Sequence, residues 1–359
     1  MGASVDPLRL AVIGAGLIGR RHIEAIGRSS RGISASITDP SPEARDLAMT
    51  LGCPWFPNLD TMLATDRPDG AIIATPNQMH VAHGLQVLDA GCPLLVEKPL
   101  ADTSAEAIKL VQAAEAAGQP LLVGHHRRHN PLIAAAKARI EGGALGRIVA
   151  VQGTCWLYKP DDYFQTPWRR QKGAGPVFIN LIHDIDLMRH LVGEISAVQA
   201  VESRDTRGHE VEDTAAILLH FAHGALGTLS VSDTIVAPWS WELTAAENPA
   251  YPATGQTCYT IGGTAGSLEL PRGALWSQDA PRSWWSPIDR DAGQPPGSEP
   301  DPLDLQIDHF CDVIEGKASP RVPGREGLRS LQVIEAIKKA AETGERTMLD
   351  LTAYQPTDV

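Results

Sequence analysis

The chain has 359 residues, more than a single hydrophobic core usually accommodates, and 43% of them are hydrophobic, which is ordinary for a globular protein. We therefore expect two domains. The net charge of -12 argues against nucleic-acid binding, which needs a basic face, and it makes any local cluster of positive charge informative.

The cysteines and apolar runs bear on the cellular compartment. Five cysteines are widely scattered with no C-x-x-C pair, so we expect reduced thiols rather than a disulfide framework or a zinc site. We predict no membrane span. We also predict no signal peptide, because the first apolar run is about seven residues long and is needed as a strand. A cytoplasmic protein is expected.

Short apolar strands alternate with helical stretches over the first 120 residues. Strands are predicted at 8–13, 33–38, 70–75, 93–97 and 120–124. Helices are predicted at 41–51, 79–90 and 104–117, the last with an N-cap at Thr103 or Ser104. This alternation is typical of βαβ units and predicts a dinucleotide-binding Rossmann domain over residues 1–124.

The first strand runs directly into a glycine-rich turn and then into a helical pattern. The turn comprises Gly14, Ala15, Gly16, Leu17, Ile18 and Gly19. The first glycine permits the tight turn, the second lets a pyrophosphate approach the backbone, and the third lets helix and strand pack closely. We therefore predict a dinucleotide site at the N-terminus of this helix.

Asp39 lies 20 residues beyond Gly19, at the end of the second strand, where a carboxylate would bind the adenosine ribose. It is followed by Pro40 and Ser41, not by a basic residue that could pair with a 2′-phosphate. The sequence therefore favours NAD over NADP as the cofactor.

Glu97-Lys98-Pro99 ends an apolar strand inside this pattern. A lysine beside an apolar wall can have its pKa lowered from about 10.4 toward neutrality, so that it exchanges a proton with a substrate hydroxyl. We predict Lys98 as a catalytic residue on this ground.

The pattern changes after residue 150 to longer alternating runs. Strands are predicted at 148–155, 197–203, 214–221, 225–233, 258–261 and 267–270, with a hairpin turn at His223-Gly224. Helices follow at 304–315 and 324–343, after a Pro/Gly-rich loop over 286–302. These elements predict a second α/β domain over residues 125–359, with a large, mostly antiparallel open sheet and a final helix that packs back on the first domain.

Four segments carry a resemblance to a known family. They are the glycine fingerprint, A-I-I-A-T-P-N-x-x-H over residues 71–80, Glu97-Lys98-Pro99, and residues 173–186, which begin G-A-G-P and end H-D-I-D. In this order they resemble the Gfo/Idh/MocA oxidoreductases over nearly the whole chain. The resemblance implies a Rossmann domain followed by an open-sheet α/β domain, an NAD(P) cofactor and hydride transfer at a carbinol carbon. It also implies a homodimer or homotetramer formed through the sheet face.

The resemblance assigns further residues to the cofactor. It implies that the cofactor side of the cleft includes Thr75, Pro76, Asn77 and His80. Glu97 would orient the loop or the nicotinamide ribose, and a cis Pro99 would direct Lys98.

His183 is the second predicted catalytic residue, on the family pattern of a substrate-binding histidine. Well-known members have an aspartate four residues earlier, where this chain has Ile179, and Asn180 is the nearest polar group. We therefore expect Lys98 to carry more of the proton transfer, with Asn180 and His183 binding hydroxyls. A subgroup with the signature N-L-I-H-D-I-D would fit.

Positive charge is the clue to the substrate. One cluster, His126, Arg127 and Arg128, follows the last predicted Rossmann strand, and Tyr163 and Arg169 lie in a second, together with Lys159. Guanidinium groups bind carboxylates in a bidentate way. Structural support or pyrophosphate binding is the alternative role for these arginines. A metal site at the histidines is disfavoured, because the arginines would repel a cation.

These residues predict an NAD-dependent dehydrogenase that acts on a small molecule, the secondary alcohol of a cyclic polyol. Within that class a carboxylated cis-dihydrodiol of the phthalate or benzoate type is favoured, because its oxidation gives a β-keto acid that can lose CO₂ and become aromatic. A sugar, sugar-acid or inositol dehydrogenase is the near alternative. A non-catalytic NAD-binding sensor and a hydrolase or lyase with tightly held NAD are the others.

Overall fold

A computed structural model describes residues 6–297 and 299–352, which form two compact units. Of the described residues, the first unit contains those up to His129 and the segment Asp301–Leu331. The second contains the described residues between Asn130 and Pro300 and those from Gln332 onward. The prediction placed a single domain boundary between residues 124 and 125, whereas in the structure the first unit also contains the later segment Asp301–Leu331.

The first unit is built on a parallel sheet of six strands. They are β1 (Leu8–Ile13), β2 (Gly32–Thr38), β3 (Trp55–Phe56), β4 (Gly70–Ile73), β5 (Leu94–Val96) and β6 (Leu121–Val123). Their order is β3-β2-β1-β4-β5-β6. The order reverses between β1 and β4, and the carboxyl ends of strands at such a point form the crevice where open α/β sheets bind ligands.

The second unit is built on a mixed sheet of nine strands. They are β7 (Ile148–Trp156), β8 (Ile195–Ser203), β9 (Thr214–Phe221), β10 (Leu226–Ser232), β11 (Tyr259–Gly263), β12 (Gly266–Leu270), β13 (Ala274–Ser277), β14 (Asp289–Asp291) and β15 (Thr347–Met348). Their order is β14-β13-β12-β11-β7-β10-β9-β8-β15, in which only the β7–β10 pair is parallel. The predicted fold class is therefore confirmed.

Eleven α-helices lie within the described residues. They are α1 (Leu17–Arg28), α2 (Pro42–Leu51), α3 (Leu59–Thr65), α4 (Asn77–Asp89), α5 (Ser104–Ala117), α6 (Pro131–Glu141), α7 (Pro176–Ile179), α8 (Leu181–Leu191), α9 (Trp241–Thr244), α10 (Pro302–Ile314) and α11 (Gly324–Thr343). Thr103 is the N-cap of α5, where its side chain accepts the amide of Glu106. None of these helices is both long and apolar enough to cross a membrane.

Each unit has its own hydrophobic core. In the first, apolar residues of β1, α1 and α2 pack with one face of α10, which explains why a segment so late in the chain belongs here. In the second, β7 to β12 pack against α8 and the later turns of α11. Gly224 has a positive φ of 93° at the turn between β9 and β10, so the predicted hairpin is confirmed. The predicted loop 286–302 is partly wrong, because it contains β14.

Candidate functional site

The glycine-rich turn has the geometry of a phosphate cradle. Gly14 has a φ of 93°, and a Cβ there would lie 2.6 Å from the carbonyl oxygen of Ala74. A Cβ at Gly19 would lie 2.0 Å from the carbonyl oxygen of Gly14. Both glycines are therefore required by the fold itself.

Gly16 is different, because nothing in the protein requires glycine there. Its φ is -68°, and apart from Gly16 itself and its two chain neighbours no described residue has an atom within 4 Å of an added Cβ. It is the N-cap of α1, with no side chain capping the helix, and Leu17 beside it is 85% exposed, with Ile18 half-buried. The open space above uncapped helix amides is the space that a pyrophosphate would fill.

The Asp39 carboxylate faces this turn from the end of β2. Its Oδ2 accepts the amide of Ala15 at 2.8 Å, and its Oδ1 accepts the amide of Ser41 at 2.8 Å. Burial would raise the pKa of Asp39, but these hydrogen bonds and the Arg20 charge lower it overall. Asp39 is therefore held as a carboxylate beside the glycine turn, which is the charge that disfavours a 2′-phosphate.

A cleft of ≈ 540 Å³ lies at the carboxyl ends of β1, β2 and β4. Its lining includes Gly14, Gly16, Asp39, Thr75, Pro76, Met79 and His83. The predicted cofactor residues of the glycine turn, the end of β2 and the loop after β4 are thus brought together. An adenosine and its phosphates fit this lining, since it combines an apolar wall, a carboxylate and helix amides.

His80, from α4, is buried and is not among the residues that line the cleft. It is 1% exposed, and its Nδ1 and Nε2 lie 2.9 Å from the Pro99 carbonyl oxygen and 2.8 Å from that of Thr75. Burial lowers its pKa, and the carbonyls offset only part of this effect. His80 therefore links the loop after β4, with Asn77 at the start of α4, to the segment after β5.

Glu97 and Lys98 follow β5, at the same edge of the sheet as the cleft. The Glu97 carboxylate is buried and contacts Nε2 of His22 at 2.7 Å, while its Oε2 accepts the Lys98 amide at 3.1 Å. Burial alone would raise the pKa of Glu97, but His22, together with the charges of Lys98 and His126, lowers it to about 2. The Lys98–Pro99 peptide bond is cis.

The basic segment after β6 forms a 3₁₀ turn, His126–His129. Arg127 and Arg128 are buried, and Arg128 Nη2 lies 2.8 Å from Oε2 of Glu326 on α11, within the first unit. The predicted substrate role of Arg128 thus lacks support, because this ion pair engages its guanidinium in the packing of α11. His126 is half-buried at the start of the turn.

The second unit carries Asn180 and His183 at the start of α8. The predicted helix near His183 is present and begins two residues earlier, at Leu181. His183 is 6% exposed, and the buried Oδ1 of Asn180 accepts no hydrogen bond from the described residues. The next residue, Asp184, accepts a hydrogen bond from the hydroxyl of Tyr259. Asn180 thus has an acceptor oxygen suited to a hydroxyl donor.

Two cations lie close to the ring of Tyr163 in the loop after β7. The Arg169 guanidinium lies 4.1 Å from the centre of its ring, and the Lys159 ammonium 5.1 Å. Arg169 also donates to the Tyr163 carbonyl at 2.9 Å. Burial lowers the pKa of Lys159, which the charge of Asp233, 3.7 Å away, offsets only in part. The predicted grouping of Tyr163 with Arg169 is therefore present.

Two residues of the site's support escaped sequence reasoning. Glu212 accepts the amide of Val177 at 3.1 Å, and a Cβ at Gly175 would lie 2.1 Å from its carboxylate, so Glu212 shapes the start of α7. Its other oxygen accepts from Lys338 at 2.6 Å. The sequence signal was the acidic pair Glu212-Asp213 between Val211 and the start of β9 at Thr214. The other missed residue, His22, lies on the buried face of α1.

Among residues 6–297 and 299–352, no group of three or more His, Cys, Asp or Glu side chains could hold a metal ion. The residues present instead fit a dinucleotide, with Gly16 leaving room for its phosphates and Asp39 facing the ribose position.

The chain matches two family models. Residues 8–125 match the model described as "Oxidoreductase family, NAD-binding Rossmann fold", and residues 133–269 match the "GFO/IDH/MocA C-terminal domain". Levoglucosan dehydrogenase from Pseudarthrobacter phenanthrenivorans is 31% identical over 267 residues, 63% of this chain and 67% of that protein. Inositol 2-dehydrogenase 4 from Saccharopolyspora erythraea is 29% identical over 358 residues, 96% of each chain.

A solved structure is also similar throughout its length. The WlbA dehydrogenase from Bordetella pertussis, in complex with NADH and UDP-GlcNAcA, has a TM-score of 0.77 and 28% sequence identity. The match covers 96% of this chain and 99% of that one.

Proposed function

The chain belongs to the Gfo/Idh/MocA family of NAD-binding oxidoreductases, and we propose that it oxidises a secondary alcohol of a sugar or cyclic polyol with NAD. The relatives described above are named for levoglucosan and inositol, which supports an alcohol on a saturated ring. The Asp39 carboxylate supports NAD over NADP, since it would repel a 2′-phosphate.

The observation that carries the proposal is the position of Lys98. It follows β5 at the edge of the sheet that bears the cleft, and its own amide is held by the preceding Glu97. We assign Lys98 as the acceptor of the substrate's hydroxyl proton. NAD, when bound, supplies the hydride acceptor. The resulting Lys98 ammonium would afterwards release this proton to solvent, so that the alcohol and NAD are converted to a ketone, NADH and one proton.

Asn180 and His183, at the start of α8, are the proposed hydroxyl-binding residues. Asn180 offers its buried Oδ1 as an acceptor, and His183 offers a ring nitrogen from the first turn of α8. Ile179 occupies the position of the family's usual aspartate and cannot take part in proton transfer. The proposal therefore gives Lys98 the main acid–base role.

A carboxylated cis-dihydrodiol is a second candidate substrate. The observation that favours it is the pair of cations around Tyr163, since Arg169 presents a guanidinium beside a flat aromatic wall. Such a pair suits a planar acid. Arg128 is left out of this candidate because it is paired with Glu326.

A substrate panel with NAD tests these alternatives. Purified protein is offered inositols, sugars and sugar acids in one panel and carboxylated cis-dihydrodiols in another, and NADH formation is followed by absorbance. Activity confined to the first panel supports the proposal, and activity confined to the second supports the carboxylated candidate. NADH binding without turnover of either panel would refute both and favour a sensor. Substrate consumption without net NADH would indicate a lyase or hydrolase.

A further inference from the structure

A buried histidine lies behind the Glu97-Lys98-Pro99 segment. His22 is 0% exposed on α1, and its Nε2 lies 2.7 Å from Oε1 of Glu97, whose side chain is 4% exposed. Burying a carboxylate is costly unless it is paired and hydrogen-bonded. Glu97, whose carboxylate is buried at this cost, directly precedes Lys98, the proposed proton acceptor.

Both oxygens of Glu97 are engaged. While Oε1 contacts His22, Oε2 accepts the backbone amide of Lys98 at 3.1 Å. Gly124, directly after the neighbouring strand β6, also leaves room for this carboxylate, since a Cβ at Gly124 would lie 2.7 Å from Oε1 and 2.9 Å from Oε2. Glu97 is thus confined on three sides, by a helix, by a glycine and by the amide that follows it.

Other groups do not explain the presence of His22. Its Nδ1 is buried and has no hydrogen-bond partner among the described residues, so its polar contact to the protein is made through Nε2. A residue with an apolar side chain would fill the same helix face without leaving a buried nitrogen unsatisfied. The cost of the unsatisfied Nδ1 is offset only by the contact that Nε2 makes with the buried carboxylate of Glu97.

We propose that His22 is a positioning residue for Lys98, acting through Glu97. The imidazole fixes the Glu97 carboxylate, and the carboxylate fixes the Lys98 amide and so the direction in which the lysine leaves the backbone. His22 does not touch cofactor or substrate in this role. The expected effect of His22 on turnover rests on the proposed function. The position of Lys98 does not, because it can be measured without a substrate.

Selective acylation measures that position. Wild-type protein with NADH is treated with a trace of a lysine-selective acylating reagent, and labelling of Lys98 is quantified by mass spectrometry relative to Lys109, which is exposed on α5. His22→Leu removes the contact to Glu97. His22→Gln keeps an N–H at the end of the side chain, and Ile23→Ala is a matched loss of buried contacts on the same helix.

The expected result is a change in the Lys98-to-Lys109 labelling ratio of about threefold or more in His22→Leu, with the ratio in His22→Gln and Ile23→Ala near wild type. Gly124→Ala, which displaces Glu97 from the other side, should reproduce the change. An unchanged ratio in both His22→Leu and Gly124→Ala overturns the proposal, as does an equal change in Ile23→Ala. If His22→Leu does not fold, the comparison of Gly124→Ala with His22→Gln decides.

Turnover separates this inference from the proposed function. On the best substrate of the two panels, His22→Leu should lower kcat about 10- to 100-fold while the Kd for NADH stays within about twofold. An unaltered labelling ratio together with an inactive Lys98→Ala would refute the role of His22 and leave the proposed function intact. An altered labelling ratio in His22→Leu together with a fully active Lys98→Ala would refute the proposed function and leave the positioning role of His22 intact.

Discussion

Arg128 and Glu326 form an ion pair at 2.8 Å, although 198 residues separate them in the chain. The Arg128 side chain is 4% exposed and that of Glu326 27%. Two arginines that look equivalent in the sequence as carboxylate readers, Arg128 and Arg169, thus have different surroundings.

Arg128→Met should lower the free energy of unfolding by about 1–3 kcal/mol, because it removes a buried guanidinium that is ion-paired with Glu326. Arg169→Met should cost less stability and should instead weaken any preference for carboxylated substrates, since the guanidinium beside Tyr163 is lost. Urea unfolding and the ratio of kcat/KM for matched acid and neutral substrates measure the two effects. Equal loss of acid preference in both variants would restore Arg128 as a substrate residue.

Asp39→Ala should raise the KM for NAD about 10- to 100-fold and narrow the discrimination against NADP. The carboxylate also holds the Ala15 and Ser41 amides, so loss of loop order must be separated from loss of charge. Asp39→Asn is the control, because it keeps an acceptor oxygen while removing the repulsion toward a 2′-phosphate. Discrimination against NADP that is undiminished in Asp39→Asn would contradict the electrostatic account.

The stability of the fold should fall as the pH drops below about 6.5, the ordinary pKa of histidine. Burial lowers the pKa of His80 and holds that of His129 well below its usual range. Between the folded and unfolded pKa values the unfolded chain binds protons that the folded chain does not, so stability decreases on acidification. Each histidine can contribute about 1.4 kcal/mol per pH unit in that window.

Urea unfolding at pH 7.5 and pH 5.5 checks this dependence, with His129→Phe as the test variant. Glu97 contributes to the pH dependence only at lower pH, because the stability that it provides is lost as the pH falls from the ordinary pKa of glutamate toward about 2. The loss between the two pH values should therefore be smaller in His129→Phe than in wild type. An identical loss would show that His129 does not contribute.

The open face of the second sheet is the expected interface of the predicted homo-oligomer. Large apolar side chains are exposed there, with Val201 at 68% on β8 and Leu218 at 48% on β9. Apolar surface of this kind is common at subunit interfaces. Val201→Glu with Leu218→Glu should shift the mass in solution toward the monomer, measured by light scattering. A monomeric wild-type protein would contradict the predicted assembly.

The elements best predicted from the sequence are those whose local pattern and tertiary role agree. β1, α5, β9 and α11 have the predicted bounds, because apolar periodicity, caps and turn glycines all indicate the same ends. The cleft after β1, β2 and β4 was also predictable, since the carboxyl ends of neighbouring parallel strands meet at one edge.

The remaining features depend on contacts distant in sequence. α6 was missed because it lacks a strong apolar stripe, although its alanines, its Asn130 N-cap and Pro131 at its start all favour a helix. α10 joins the first unit because its apolar face covers β1 and α1, which nothing local encodes. His22 and Glu326 reveal their roles only through partners 75 and 198 residues away.

The measurement that tests the central claim most directly is turnover by Lys98→Ala alongside its affinity for NADH. On the best substrate of the two panels, kcat should fall about 10²-fold or more, because proton transfer loses its acceptor, while the Kd for NADH should stay within about twofold. Lys109→Ala, a loss of an exposed lysine on α5, should match wild type in both. Unchanged turnover in Lys98→Ala would contradict the account, because no other residue is assigned the main acid–base role.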